Sequence, residues 1–177
     1  MAVLFDARGA LRLAISLAAL ETGERPARGE RLLRVVADEP AKPRLLAAAS
    51  VDWLDRRDGE FWPFVRRPAL WLGPDDADGL AHGVERLLRD EVAGFAFRSA
   101  GGELALQLGR MPGEDMARTA YAVEAGIDLG GLLAEASGAE HEPGEALSLF
   151  RFTTRRAPLV AFGRGLREEL SALRAAK

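Results

Sequence analysis

The sequence predicts an α+β fold: a curved antiparallel β-sheet packed by two main amphipathic helices. Three observations carry this expectation. Leu80, Val84, Leu87, Leu88 and Val92 fall on one helical stripe. Phe95 and Phe97, then Leu104, Leu106 and Leu108, then Tyr121, Val123, Ala125 and Ile127 recur at every second residue, the period of strands with one covered face. A second stripe, Leu159, Phe162, Leu166, Leu170 and Leu173, follows Pro158, with Arg167, Glu168 and Glu169 lying off it. Helices set apart from a run of antiparallel strands define the α+β arrangement.

The elements follow in order. Residues 2–7 and 10–19 flank Arg8-Gly9, and Leu11, Leu13, Ile15 and Leu17 alternate with Arg12, Ala14 and Ser16; this is a hairpin pattern, with arginine where asparagine or aspartate is preferred. Thr22 to Glu30 reads as a surface loop and Arg31 to Ala37 as a strand ended by Pro40. Residues 43–57 fit two patterns. Leu45, Leu46, Ala49 and Trp53 make a helical stripe after Pro43, whereas Leu45, Ala47, Ala49, Val51 and Trp53 alternate as a strand would. Arg56 to Phe64, with Asp58-Gly59 and Pro63, reads as an exposed turn, and Ala69 to Leu72 as a short strand. A helix from Gly73-Pro74-Asp75 to Glu91 carries Asp75, Asp76 and Asp78 in its first turn. A hairpin crosses Ala100-Gly101-Gly102, Met111 to Ala117 is a loop, and Arg118 to Ile127 is a strand. Gly130 to Gly138 suits a short helix and Glu140 to Gly144 a loop. Glu145 to Thr154 forms the last strand, with Leu147 and Leu149 on one phase and Phe150 and Phe152 on the other, so both faces are covered or a bulge intervenes. No internal repeat is visible.

The chain of 177 residues suits one α+β domain over residues 1–177, and 48% hydrophobic with 29% charged residues describes an ordinary globular protein. A net charge of -3 argues against a general affinity for nucleic acid or an anionic membrane. Cysteine is absent, which excludes disulfides, thiolate nucleophiles and cysteine-ligated zinc. Two histidines and one tyrosine leave a thin acid–base inventory, so the expectation leans away from an enzyme and toward no cofactor. No apolar run reaches the roughly 20 residues that cross a bilayer. Ala10 to Leu20 comes nearest but contains Arg12 and Ser16. Residues 1–6 meet Asp6 without a basic lead-in, so the expectation is a cytoplasmic protein.

Candidate sites divide into weak and stronger patterns. Asp75-Asp76-Ala77-Asp78-Gly79 does not keep the alternating acidic spacing of a calcium loop and reads as helix capping. His82 and Glu85 share a helix side without further ligands, and His141 sits between Glu140 and Glu142 with no serine nucleophile to complete a triad; no metal site is expected. Gly163-Arg164-Gly165 lies inside a helical pattern, where close packing or a kink accounts for it better than a phosphate loop. The most unusual stretch runs from Trp53 to Trp71. It holds all three tryptophans, Trp53, Trp62 and Trp71, with Phe61 and the pairs Arg56-Arg57 and Arg66-Arg67. Aromatic and arginine side chains dominate protein interface hot spots, which makes these eight residues the candidate partner-binding set. The same residues also fit a long loop whose aromatics anchor it to the core while its arginines meet water.

Three pieces carry a family resemblance: "LWLGPDDADGLAHGVERLL", the meander "GFAFRSAGGELALQLGR" with "TAYAVEAGIDL", and the terminal "ALSLFRFTTRRAPLVAFGRGLREELSAL". From about Leu32 to Leu173 their order resembles the WapI-like family of bacterial immunity proteins; Thr153-Thr154-Arg155-Arg156 stands where that family has an aspartate-containing turn. The resemblance implies that residues 43–57 form a strand, and that the chain neutralises a toxin by stoichiometric binding. The leading expectation is therefore a non-enzymatic protein-binding module, an immunity protein with a toxin as partner. A small-molecule or carboxylate-dependent site in a cleft near His82, Glu85 or Glu124 is the alternative, and a structural subunit of a larger bacterial assembly the third. The sequence leaves oligomeric state open.

Overall fold

The computed structural model of the protein describes residues 1–21, 44–73, 75–99, 101–112, 119–128 and 147–175. The expected strand at Arg31 to Ala37, the short helix at Gly130 to Gly138 and His141 lie outside them.

The described elements run β1 (Ala2–Phe5), β2 (Leu11–Glu21), β3 (Arg44–Leu54), β4 (Phe61–Leu72), α1 (Asp76–Leu88), β5 (Gly94–Arg98), β6 (Leu104–Arg110), β7 (Ala120–Asp128), β8 (Leu147–Arg155) and α2 (Arg156–Ala175). The α+β arrangement is as expected, but the antiparallel strands form two sheets, β1-β2-β3-β4 and β5-β6-β7-β8. The described elements thus run through the same ββββα order twice. No repeat shows in the residues because each copy keeps only its apolar periodicity, and many residue choices satisfy that.

The two copies exchange helices. α1 follows the first sheet yet packs on β5 and β6, while α2 follows the second sheet yet packs on β1 and β2; the helices also pack on each other. One buried cluster therefore includes Leu4, Leu13 and Val51 from the first sheet, Leu106, Tyr121 and Val123 from the second, and Leu80, Val84, Phe162 and Leu166 from the helices. The glycines of the terminal helix allow this packing. A Cβ on Gly163 would sit 3.0 Å from Cγ1 of Val84 in α1, and one on Gly165 would sit 3.1 Å from the Ala2 backbone of β1. One glycine serves the helix contact and the other the sheet contact.

The β1–β2 hairpin forms across Arg8-Gly9, with Gly9 at φ 69° in the left-handed region. Asp6 supplies the turn carboxylate, its Oδ1 accepting the N–H groups of Ala10 and Leu11 at 2.5 and 2.9 Å. Residues 44–54 resolve as strand, paired with β2 on one side and β4 on the other.

The expected turn over Arg56 to Phe64 is shorter than the sequence indicated, because β4 already begins at Phe61 and contains Pro63 and Pro68. A proline cannot donate to a ladder, but β4 ends the strand order of its sheet, where that loss is tolerated. Register shifts beside Ala47/Ala49 and Val51/Asp52 take up the irregularity. The last strand has neither a bulge nor two covered faces: it pairs continuously with β7, turning Phe150 and Phe152 inward and leaving Leu149 exposed.

The acidic start of α1 works differently from a simple cap. Asp75 makes no side-chain cap bond; Asp76 instead accepts the Gly73 N–H at 2.6 Å. Asp78 reaches across to α2 and pairs with Arg167 and Arg174. Glu85 also holds Arg167, at 2.8 and 3.2 Å through both carboxylate oxygens. That hydrogen bond, opposed by burial and aided by the arginine charge, lowers the Glu85 pKa from the usual 4.5. A carboxylate acidified by folding adds stability above its unfolded pKa and loses it as pH falls through the lower folded value. Glu85→Gln should therefore cost less than about 1 kcal/mol at neutral pH, since both side chains are about a third exposed. Urea melts of the two proteins should converge as pH drops below the ordinary carboxylate range.

Candidate functional site

The β3–β4 hairpin gathers most of the candidate partner-binding residues at one end of the first sheet. Its turn is built by its own acids: Asp55 accepts the Arg57 N–H and Asp58 the Glu60 N–H, each at 2.9 Å, with Gly59 at φ 76°. Arg56 and Arg57 stand exposed at the tip. Trp53 and Trp62 are directly opposite each other in the ladder and remain 42% and 50% exposed. Phe64 is 68% exposed, its ring meeting Phe150 edge-on at 5.6 Å. Three large apolar side chains thus lie close in sequence on one hairpin without being buried by it.

The outer face of the same sheet carries a second feature. Alternation puts Arg12, Ala14 and Ser16 of β2 beside Asp52, Ser50 and Ala48 of β3. Arg12 Nε donates to Asp52 Oδ2 at 2.7 Å, and its guanidinium lies 4.3 Å over the Phe61 ring. Phe61 in turn meets Phe5 edge-on at 5.8 Å. Because Ala14, Ser16, Ala48 and Ser50 are small, the face between these groups sinks into an open hollow of about 230 Å³, bordered by Pro63 and Arg66.

Arg67 does not belong to the surface. It lies opposite Ala49 on the inward side of β4, 7% exposed, with Nη2 donating to Glu103 Oε1 at 2.9 Å. Adjacent strand residues point to opposite faces, so Arg66 is exposed and Arg67 is interior. The Trp71 backbone pairs with Leu46 farther along β4. Of the eight candidates, the structure brings Trp53, Arg56, Arg57, Phe61, Trp62 and Arg66 to one end or its adjoining face. Sequence reasoning missed Arg12, Asp52, Ser16 and Ser50; the polar phase of β2 was its only signal, and the pairing with β3 decides the rest.

The alternative cleft residues are otherwise engaged. Glu85 is held by Arg167, and Glu124 pairs with Arg151 on the outer face of the second sheet. His82 is exposed on α1. Among the described residues no group of three or more histidine, aspartate or glutamate side chains could hold a metal ion. No helix among them is long and apolar enough to cross a membrane. Comparison with protein-family models, with curated proteins and with solved structures gives no match.

Proposed function

We propose that the chain is a non-enzymatic protein-binding module. It receives a partner protein on the exposed end of the β3–β4 hairpin and the adjoining outer face of the first sheet. The observation that carries this reading is the exposure of Trp53, Trp62 and Phe64 on one hairpin. Large aromatic side chains left in water on one hairpin are unfavourable alone and favourable once a partner covers them. Arg56, Arg57 and Arg66 around them supply directed hydrogen bonds at the rim. An immunity protein that occludes a toxin in a bacterial cytoplasm is the form of this function that the WapI-like resemblance favours.

The test is capture of the partner from the native host by the intact protein and by Trp62→Ala and Arg66→Ala. Each variant should bind at least about fivefold more weakly, about 1 kcal/mol, with an unchanged melting temperature. Equal capture by all three proteins would reject this surface.

A further inference from the structure

We infer that the hollow on the outer face of the first sheet is a socket for a single acidic side chain, glutamate or aspartate, carried by the partner protein. This rests on the docking reading above and names the chemistry that the site selects.

Four observations lead to it. Arg12 is fixed in orientation by its Nε bond to Asp52 and by the Phe61 ring beneath it, which leaves its two terminal nitrogens with no acceptor among the described residues. Arg66, opposite Ser50 in the ladder, borders the same hollow and likewise has no acceptor among them. Two guanidinium groups against one carboxylate, with Met1 at the border holding its ammonium on Glu169, give this face a local charge of about +1, the complement of one carboxylate; a phosphate would bring between about -1.5 and -2. The cavity of about 230 Å³ is smaller than the roughly 300–1,000 Å³ of sites that enclose a drug-sized ligand or cofactor, but has room for one side chain.

The chemistry inside is consistent with that occupant. Guanidinium groups present paired N–H donors that match the two oxygens of a carboxylate. The Ser16 and Ser50 hydroxyls add donors on the floor. Phe61 and Pro63 offer apolar contact to the methylene groups of an entering side chain. Trp62, directly before Pro63 in β4, projects with Trp53 from the opposite face of the same hairpin, so a partner that wraps the hairpin's end reaches both.

The test titrates the full chain, labelled with ¹⁵N, with the capped tripeptide Ac-Ala-Glu-Ala-amide, its glutamine counterpart and inorganic phosphate, following the Arg12 Nε–H and Ser50 amide signals. The glutamate peptide should give saturable shifts at both groups. The glutamine peptide, and the glutamate peptide on Arg66→Gln, should bind about tenfold more weakly, the loss expected for one charge-assisted pair. Equal shifts by the glutamine peptide, tighter binding of phosphate, or no saturable shift would each overturn the socket. In partner capture, Arg66→Gln should fall alongside Trp62→Ala. Loss with Trp62→Ala alone would overturn the socket and leave the docking surface standing, whereas loss with neither would fail the docking reading itself.

Discussion

Arg67→Ala is expected to lower the free energy of unfolding by about 3 kcal/mol or more, the range for breaking one partner of a buried ion pair. Arg67 and Glu103 are 7% and 6% exposed, so removing the cation takes one partner from a buried carboxylate. Two of the three guanidinium nitrogens, Nε and Nη1, have no hydrogen-bond partner among the described residues. The pair is therefore costly to keep and costlier to break. Replacing both members with apolar residues of similar size, Arg67→Met with Glu103→Leu, should recover the loss and can exceed the original stability. Urea denaturation of the three proteins checks this. A single variant within about 1 kcal/mol of the parent would mean that Arg67 reaches water after all. Partner capture per folded molecule should be unchanged in Arg67→Ala, which separates this residue from neighbouring Arg66.

Phe162→Ala should cost about 3–5 kcal/mol, the range for emptying a large buried aromatic site. Phe162 is fully buried in α2. This helix belongs in sequence to the second copy of ββββα but packs on β1 and β2 of the first. Loosening it should weaken both copies together, and unfolding should remain one transition. The tryptophans make that visible, since Trp53, Trp62 and Trp71 all belong to the first copy, whereas Tyr121 reports on the second. Tryptophan fluorescence and far-ultraviolet circular dichroism should follow the same curve. Separate midpoints in the variant would show that the copies are stable independently, contrary to the exchanged helices.

Periodicity revealed the local elements well. The stripe Leu80, Val84, Leu87 is the buried face of α1, and Leu104, Leu106 and Leu108 are the buried face of β6. Division into two sheets was not legible, because alternation fixes which face a residue takes and leaves open which strand lies alongside. Pro63 reads as part of a turn because it cannot extend a ladder, a rule that holds for central strands and relaxes at an edge. The candidate site was half legible. Composition singles out the Trp53–Trp71 stretch, but it counts Arg67 with Arg66 in the partner-binding set, because a strand starting only at Ala69 offers no alternation to separate the two. The Arg12–Asp52 pair joins residues 40 positions apart, and only register could bring them together.

Pro63 and Pro68 have one more effect on how this molecule meets others. Each removes a main-chain donor from the strand that ends the first sheet's order among the described residues, and proline there blunts the strand as a template for a foreign one. Main-chain zippering accepts almost any extended sequence and is a common start of aggregation. With that route blunted, attachment along this border has to be earned by side-chain fit, and the protein can display aromatic rings in water while discriminating among the chains it encounters.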